Sequence, residues 1–154
     1  MGQIVKKTSG DLVKPARQFL MTDSADPVDQ LEAFFLNHFE MYTEERTFHH
    51  LENGVYLREM HIKAGEVAIG HRHKHEHIFR LCKGRLLVID LANDTSYEIE
   101  APFQTKAKPG RKLVYAITDV VVQNVYLTDK TTIEEIENEM VVKSDIYKER
   151  LLCQ

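Results

Sequence analysis

The sequence predicts an all-β fold, an antiparallel barrel or sandwich with peripheral α-helices near both ends. Apolar and polar residues alternate in short runs, turn residues separate those runs over about ninety residues, and capped helical segments flank them. The 43% apolar and 29% charged residues are ordinary for a globular protein, and 154 residues are enough for one domain with a sizeable core.

The first helical segment begins at Asp26-Pro27, because Asp is a favoured N-cap and Pro suits the first helical position. Apolar residues follow at helical spacing, with Phe34 beside them: Val28, Leu31, Phe35 and Phe39. This pattern predicts a helix over about 27–41 that packs its aromatic stripe on the outside of the barrel. Residues 1–26 before it are irregular, and we expect them to form an arm with a short strand.

The strand series begins with a hairpin, since Asn53-Gly54 between apolar runs is a strong hairpin signal. Gly65 and the pair Lys83-Gly84 mark further turns, and Ala101-Pro102 breaks a later run. The predicted strands cover about 46–51, 55–63, 66–69, 71–81, 85–91, 96–100, 103–107, 112–117 and 120–127.

A second helix is predicted over about 132–142. Thr131 or Thr132 caps it, and Glu134 or Glu135 three residues on completes a capping box either way. Residues 27–142 thus form the barrel with its flanking helices, and 143–154 form a tail with at most one more helical turn.

Four histidines at alternate positions form the most informative pattern: His71, His73, His75 and His77. In a strand, alternate side chains point to one face, and the same parity continues as Phe79 and Leu81. The histidine face is therefore predicted to point inward. Buried imidazoles need a hydrogen-bond partner or a metal, and neutral imidazole is the commonest metal ligand.

The spacing of this stretch resembles the first motif of the cupin superfamily. Gly65, five residues, His71-Arg72-His73, three residues, His77, six residues and Gly84 reproduce that motif, with His77 where most cupins carry Glu. The second cupin motif is matched only by Pro109-Gly110, and its ligand position falls on Leu113. The resemblance implies a jelly-roll barrel with His71, His73 and His77 as metal ligands.

A narrower resemblance, over about 52–139, is to uncharacterised phage and prophage proteins of cupin type. Stretches similar to that group include ENGVYLREMHIKAGEVAIG, YEIEAPF and KPGRKLVYAITDVV. This likeness implies a phage origin and supplies no function.

Three histidine ligands with open positions suit one divalent transition metal, Zn, Fe, Mn or Ni, in a catalytic rather than a closed structural site. His75 shares their parity and is a candidate fourth ligand, hydrogen-bond partner of a ligand, or general base. His61 and Glu59, which share one predicted strand, are further candidates to hydrogen-bond a metal ligand. A solvated turn or a site for an anionic ligand is indicated by the basic residues Lys108, Arg111 and Lys112.

The net charge of −4 gives no bias toward nucleic acid, and no apolar run is long enough for a membrane span. Cys82 and Cys153 fit free thiols in a reducing compartment, so cytoplasm is the expected location, that of the host if the chain is phage-encoded. A small-molecule ligand and a homodimer or higher homo-oligomer are the expected partners. The functional alternatives are a metal-dependent enzyme, a non-catalytic ligand-binding module and a structural phage component.

Overall fold

A computed structural model describes residues 2–5, 25–38, 41–42 and 46–152. The described residues form short strands and three helices. The helices are α1 Pro27–His38, α2 Ile133–Met140 and α3 Asp145–Leu152. The first strands are β1 Gly2–Val5, β2 Met41–Tyr42, β3 Thr47–Glu52, β4 Val55–Ile62, β5 Val67–Gly70, β6 Arg72–His73 and β7 His77–Lys83. The later strands are β8 Arg85–Asp90, β9 Thr95–Glu100, β10 Phe103–Ala107, β11 Leu113–Ala116, β12 Val120–Leu127 and β13 Val141–Val142.

The strands are antiparallel and make two large sheets and one small one. One sheet has the order β2-β1-β5-β11-β8-β9, the other β10-β7-β12-β4-β3, and β13 pairs with β6 alone. This confirms the predicted all-β jelly-roll class with peripheral helices. The predicted barrel is not closed, because the described strands leave β9 and β10 as edges of different sheets.

The predicted turns lie where the chain reverses. Asn53 and Gly54 both have positive φ in the hairpin between β3 and β4, the conformation that an Asn-Gly hairpin turn requires. Gly65 and Gly84, the two ends of the histidine motif, also have positive φ, of 84° each. A side chain at Gly84 would place its Cβ 2.3 Å from the carbonyl oxygen of Asp119, so only glycine fits this turn.

The main core fills the space between the two large sheets, because alternate residues of each strand face inward. Its buried members are Met60, Ile62, Ala68, Leu81, Leu86, Val88, Ile99, Ala116, Val120 and Val122. On β4 the inward residues are those of even number, so Glu59 and His61 face outward. This parity decides which side chains reach the interior.

Helix α1 packs on the outer face of the six-stranded sheet, as predicted. Val28, Ala33 and Leu36 meet Ile69 and Leu113 there. The stripe differs from the prediction because Glu32 is fully buried, whereas Phe34 is exposed. The predicted end near 41 is wrong, since Met41–Tyr42 forms β2, and Phe39 lies outside the described residues.

Helix α2 begins with the predicted capping box, formed by Thr132 and Glu135. It ends at Met140 rather than near 142, because Val141 and Val142 form β13 against β6. Its buried residue Ile136 packs against Tyr56 and Tyr126, so α2 covers one end of the five-stranded sheet.

The predicted tail contains a helix, α3, which contacts α1. In the described ranges no helix has both the length and the apolar character that crossing a membrane demands. Cys82 is an exposed free thiol, and Cys153 lies outside the described residues.

Candidate functional site

The four alternate histidines do not lie on one continuous strand. The chain forms β6, bends over residues 74–76 and then begins β7 at His77. Because β6 pairs with β13 while β7 joins the five-stranded sheet, the bend breaks the predicted alternation. His71 and His77 are buried, His73 is half-buried and His75 is exposed. The prediction of four inward imidazoles is therefore wrong for His75.

A cavity of about 460 Å³ lies between the two large sheets, and His71, His73 and His77 line it. Its apolar walls come from both sheets: Met60, Ala68, Phe79, Val88, Ile99, Phe103, Val114 and Val122. Its polar lining includes Asp90, Asn93, Thr105, Lys106, Lys108, Lys112 and Asn124. The structure thus brings the three predicted ligands to one interior space of a size typical for small-molecule sites.

His73 and His77 are stacked on each other, and two side chains of β12 hold them. Their ring centroids are 4.2 Å apart with an interplanar angle of 21°. A hydrogen bond of 2.7 Å joins the Tyr126 hydroxyl to Nδ1 of His73, and one of 3.1 Å joins Asn124 Oδ1 to Nε2 of His77. These contacts fix the orientation of both rings.

His71 lies on the other side of the bend, against α3. Its ring meets the ring of Tyr147 edge-on at a centroid distance of 4.5 Å. Only 2% of the residue is exposed, and neither ring nitrogen has a hydrogen-bond partner among the described residues. An imidazole buried in this way is costly unless a ligand satisfies it, so His71 is the group in the cavity that most needs one.

Burial keeps the cavity histidines neutral. It lowers the pKa of His73 to about 2, and it lowers the pKa of His71 far below the ordinary value, with the positive charges of Arg58 and Arg111 adding to the effect. Burial also lowers the pKa of His77, against hydrogen bonds to the His75 carbonyl and Asn124. These imidazoles are therefore hydrogen-bonding groups and not charges at neutral pH.

The ring orientations do not fit one metal ion shared by all three histidines. A nitrogen lone pair lies in the plane of its ring, and two nearly parallel rings stacked at 4.2 Å cannot both direct lone pairs at one point about 2.0–2.1 Å away. Within the described ranges, no three histidine, cysteine, aspartate or glutamate side chains are arranged to hold a metal. A shared ion would require the rings to leave Tyr126 and Asn124.

The structure does not bring the other predicted residues of the metal site to the cavity. His75 is exposed in the bend, and only its carbonyl approaches His77 Nδ1, at 3.4 Å. His61 and Glu59 pair with each other at 2.6 Å on the outer face of β4, opposite in parity to Met60, which lines the cavity.

The three basic residues predicted to hold an anion separate into two groups. Lys108 and Lys112 line the cavity. Arg111, two residues before β11, is buried beneath α1, where its guanidinium pairs with Asp29 and Glu32. The anions that Arg111 holds are therefore carboxylates of this same chain.

The two residues that hold the stacked rings, Asn124 and Tyr126, were not predicted from the sequence. Both lie at alternate positions of β12 from Val120 and Val122, which face inward. This alternation in the sequence could have predicted that their polar side chains face the interior. Leu113 occupies the position at which the second cupin motif would supply a ligand. Its side chain packs in the core beneath α1, away from the cavity. Its neighbour Val114 lines the cavity instead.

No protein-family model matches the sequence, and no curated protein matches it either. Among solved structures, the chain is similar to an ectoine synthase from P. lautus, with 16% identity over 64% of this chain and 78% of that chain and a TM-score of 0.48. It is also similar to an acetylacetone dioxygenase from Acinetobacter johnsonii, with 14% identity, 71% and 80% coverage and a TM-score of 0.45. A cupin 2 domain-containing protein from Halorhodospira halophila has 12% identity, 73% and 78% coverage and a TM-score of 0.47. At these values the similarities carry no activity, ligand or metal over to this chain.

Proposed function

We propose that this chain binds a small organic molecule in the cavity between its two large sheets. The observation that supports this most is the cavity of about 460 Å³, which combines apolar walls with the imidazoles of His71, His73 and His77. Small-molecule sites are typically concave and mostly apolar, with a few polar groups that fix orientation. The resemblance of the histidine stretch to the first cupin motif agrees with this use.

The polar groups in the cavity suit hydrogen bonding to a bound molecule. Tyr126 and Asn124 hold His73 and His77 in place, so their rings are presented in one orientation. His71 has two buried ring nitrogens that lack partners among the described residues. A ligand that hydrogen-bonds to a His71 nitrogen would satisfy a buried polar atom, and this would strengthen the binding of the ligand.

The experiment is a calorimetric and ligand-observed NMR screen of charged and neutral small molecules, using protein purified without a histidine tag. Val114→Phe adds bulk inside the cavity and should abolish binding. Val125→Phe is the matched control, because Val125 is half-buried on the outer face of the neighbouring sheet and does not line the cavity. Circular dichroism would show that both variants fold. Binding that survives Val114→Phe, or a wild type that binds nothing in the screen, would contradict the proposal.

A bound divalent transition metal is the second candidate. The observation that favours it is again His71, whose nitrogens are unpartnered in a cavity shared with His73 and His77. Loading the site would need the stacked rings to rotate away from Tyr126 and Asn124. A bound ion would supply Lewis-acid chemistry.

Elemental analysis after dialysis separates the two candidates. With a metal centre, wild type should carry about one ion per chain and the His73→Ala variant should carry none. Equal substoichiometric metal in both proteins would leave the cavity as a site for organic ligands only.

A further inference from the structure

The cavity lining is sorted by polarity along the strands. Lys106 and Lys108 lie at the His77 end of the β7–β10 ladder, Phe79 pairs with Thr105 in its middle, and Phe103 lies at the other end, so the lining changes from mostly polar to apolar over four residues. Four residues of strand span about 13 Å. The same order holds on β8, where Asp90 lies at the polar end and Val88 inside.

The polar end is exposed, and the exposed lining continues along the edges of the two sheets, where Tyr97 pairs with the inner residue Val88. The exposed lining residues lie on or next to the edge strands β9 and β10: Asn93, Tyr97, Thr105, Lys106 and Lys108. Met60, Ala68, Val88 and Val122 at the apolar end are buried. A molecule therefore enters between the two sheet edges, and its apolar part is the part that reaches the interior.

Among the described residues, the charged side chains that line the cavity and their ion-pair partners leave an excess of one positive unit. Lys106 pairs with Glu76, and Lys112 Nζ lies 4.0 Å from Asp90 Oδ2. Lys108 is exposed, and within the described residues no carboxylate lies in ion-pair distance of it. The nearby histidines are neutral, so they do not change this balance. One uncompensated lysine beside an apolar cavity matches a ligand with a single negative charge.

We infer that the ligand is a small amphipathic carboxylate, with its anionic head beside Lys108 and Lys112 and its apolar body between the sheets. The inference rests on the proposed function and specifies its ligand class. The head stays at the opening because Met60, Ala68, Val88 and Val122, which line the apolar end, cannot replace the hydration of a carboxylate. The body lies against Val88, Ile99 and Val122, where each added methylene removes apolar surface from water.

The test compares three molecules that share an unbranched skeleton of eight carbons: octanoate, octanol and octylamine. Calorimetry at low salt should give the lowest Kd for octanoate, and octylamine should bind more weakly than octanol because its cation meets the lysines. Across straight-chain carboxylates from butanoate to decanoate, Kd should fall about fourfold per methylene until the chain fills the cavity.

The Lys108→Gln/Lys112→Gln variant should raise the Kd for octanoate roughly tenfold, as expected for two partly exposed charge pairs, and leave the Kd for octanol unchanged. Lys83→Gln is the matched control, since Lys83 is exposed at the opposite end of β7 and does not line the cavity. It should bind octanoate like wild type.

Equal affinity for octanoate and octanol would overturn the inference of an anionic ligand while the proposed cavity site stands. Tightest binding of octylamine would overturn it as well. If none of the three binds, the amphipathic class is wrong, whereas the proposed function fails only if the wider screen is also negative.

Discussion

The substitution Arg111→Met tests whether a buried ion pair holds the helices on the sheet. Arg111 is only 3% exposed at its side chain and Glu32 is 0% exposed, and their charged groups are in direct contact. Arg111 also pairs with Asp29 and donates from Nε to the Gly70 carbonyl at 2.8 Å. Ser144 donates to Glu32 at 2.9 Å and caps α3 through the Tyr147 amide, so one cluster joins α1, α3 and β5.

The expected cost follows from burial. Methionine preserves much of the volume of arginine but leaves the Glu32 carboxylate buried without the guanidinium. Removing one partner of a buried ion pair typically costs about 3–5 kcal/mol, because the remaining charge is no longer compensated. We expect a loss of that size in the free energy of unfolding.

Urea unfolding at pH 7, followed by circular dichroism, measures this free energy. Arg85→Met is the matched control, because the Arg85–Glu98 pair is 47% and 57% exposed and should contribute less than about 1 kcal/mol. Replacing both buried partners, in Arg111→Met/Glu32→Met, should recover most of the loss, since apolar pairs of similar volume are tolerated in place of buried ion pairs. A loss for Arg111→Met no larger than that for Arg85→Met would refute the reasoning.

Three further predictions concern stability and assembly. Burial keeps His71 and His73 neutral in the folded state, whereas in the unfolded state each binds a proton as the pH falls below about 6.5. The free energy of unfolding should therefore fall by about 2 kcal/mol per histidine from pH 7 to pH 5. In urea unfolding at both pH values, the His71→Leu variant should lose the part of this pH dependence that His71 contributes. An unchanged pH dependence would contradict the lowered pKa of His71. Gly84→Ala should cost roughly 1–3 kcal/mol or more, because φ is 84° and the new Cβ would overlap the Asp119 carbonyl oxygen. Gly70→Ala should cost less in the same assay, because Gly70 does not have a positive φ and its Cβ would lie 3.4 Å from the Lys112 carbonyl oxygen. The chain should form a homodimer or a higher closed assembly, since exposed strand edges favour pairing, and a monomer mass by light scattering at micromolar concentration would rule this out.

Local signals in the sequence determined most of the secondary structure and the fold class. The Asn53-Gly54 hairpin, the turn at Gly84 and the cap at Thr132 each depend on a few neighbouring residues, and the structure has all three where they were predicted. Inward alternation likewise predicted that His71 and His77 would be buried. Such signals are readable because backbone sterics and side-chain parity act over two to four residues.

Only the tertiary structure decided which side chains share a site. The bend after His73 breaks the alternation, so His75 is exposed, and the orientation of the neighbouring rings depends on Tyr126 and Asn124, about fifty residues later in the chain. Arg111 does not line the cavity because it pairs with Glu32, which lies 79 positions earlier in the chain. The physical reason is that sheet pairing and charge burial join residues far apart in sequence, whereas local patterns determine only the direction in which each side chain starts.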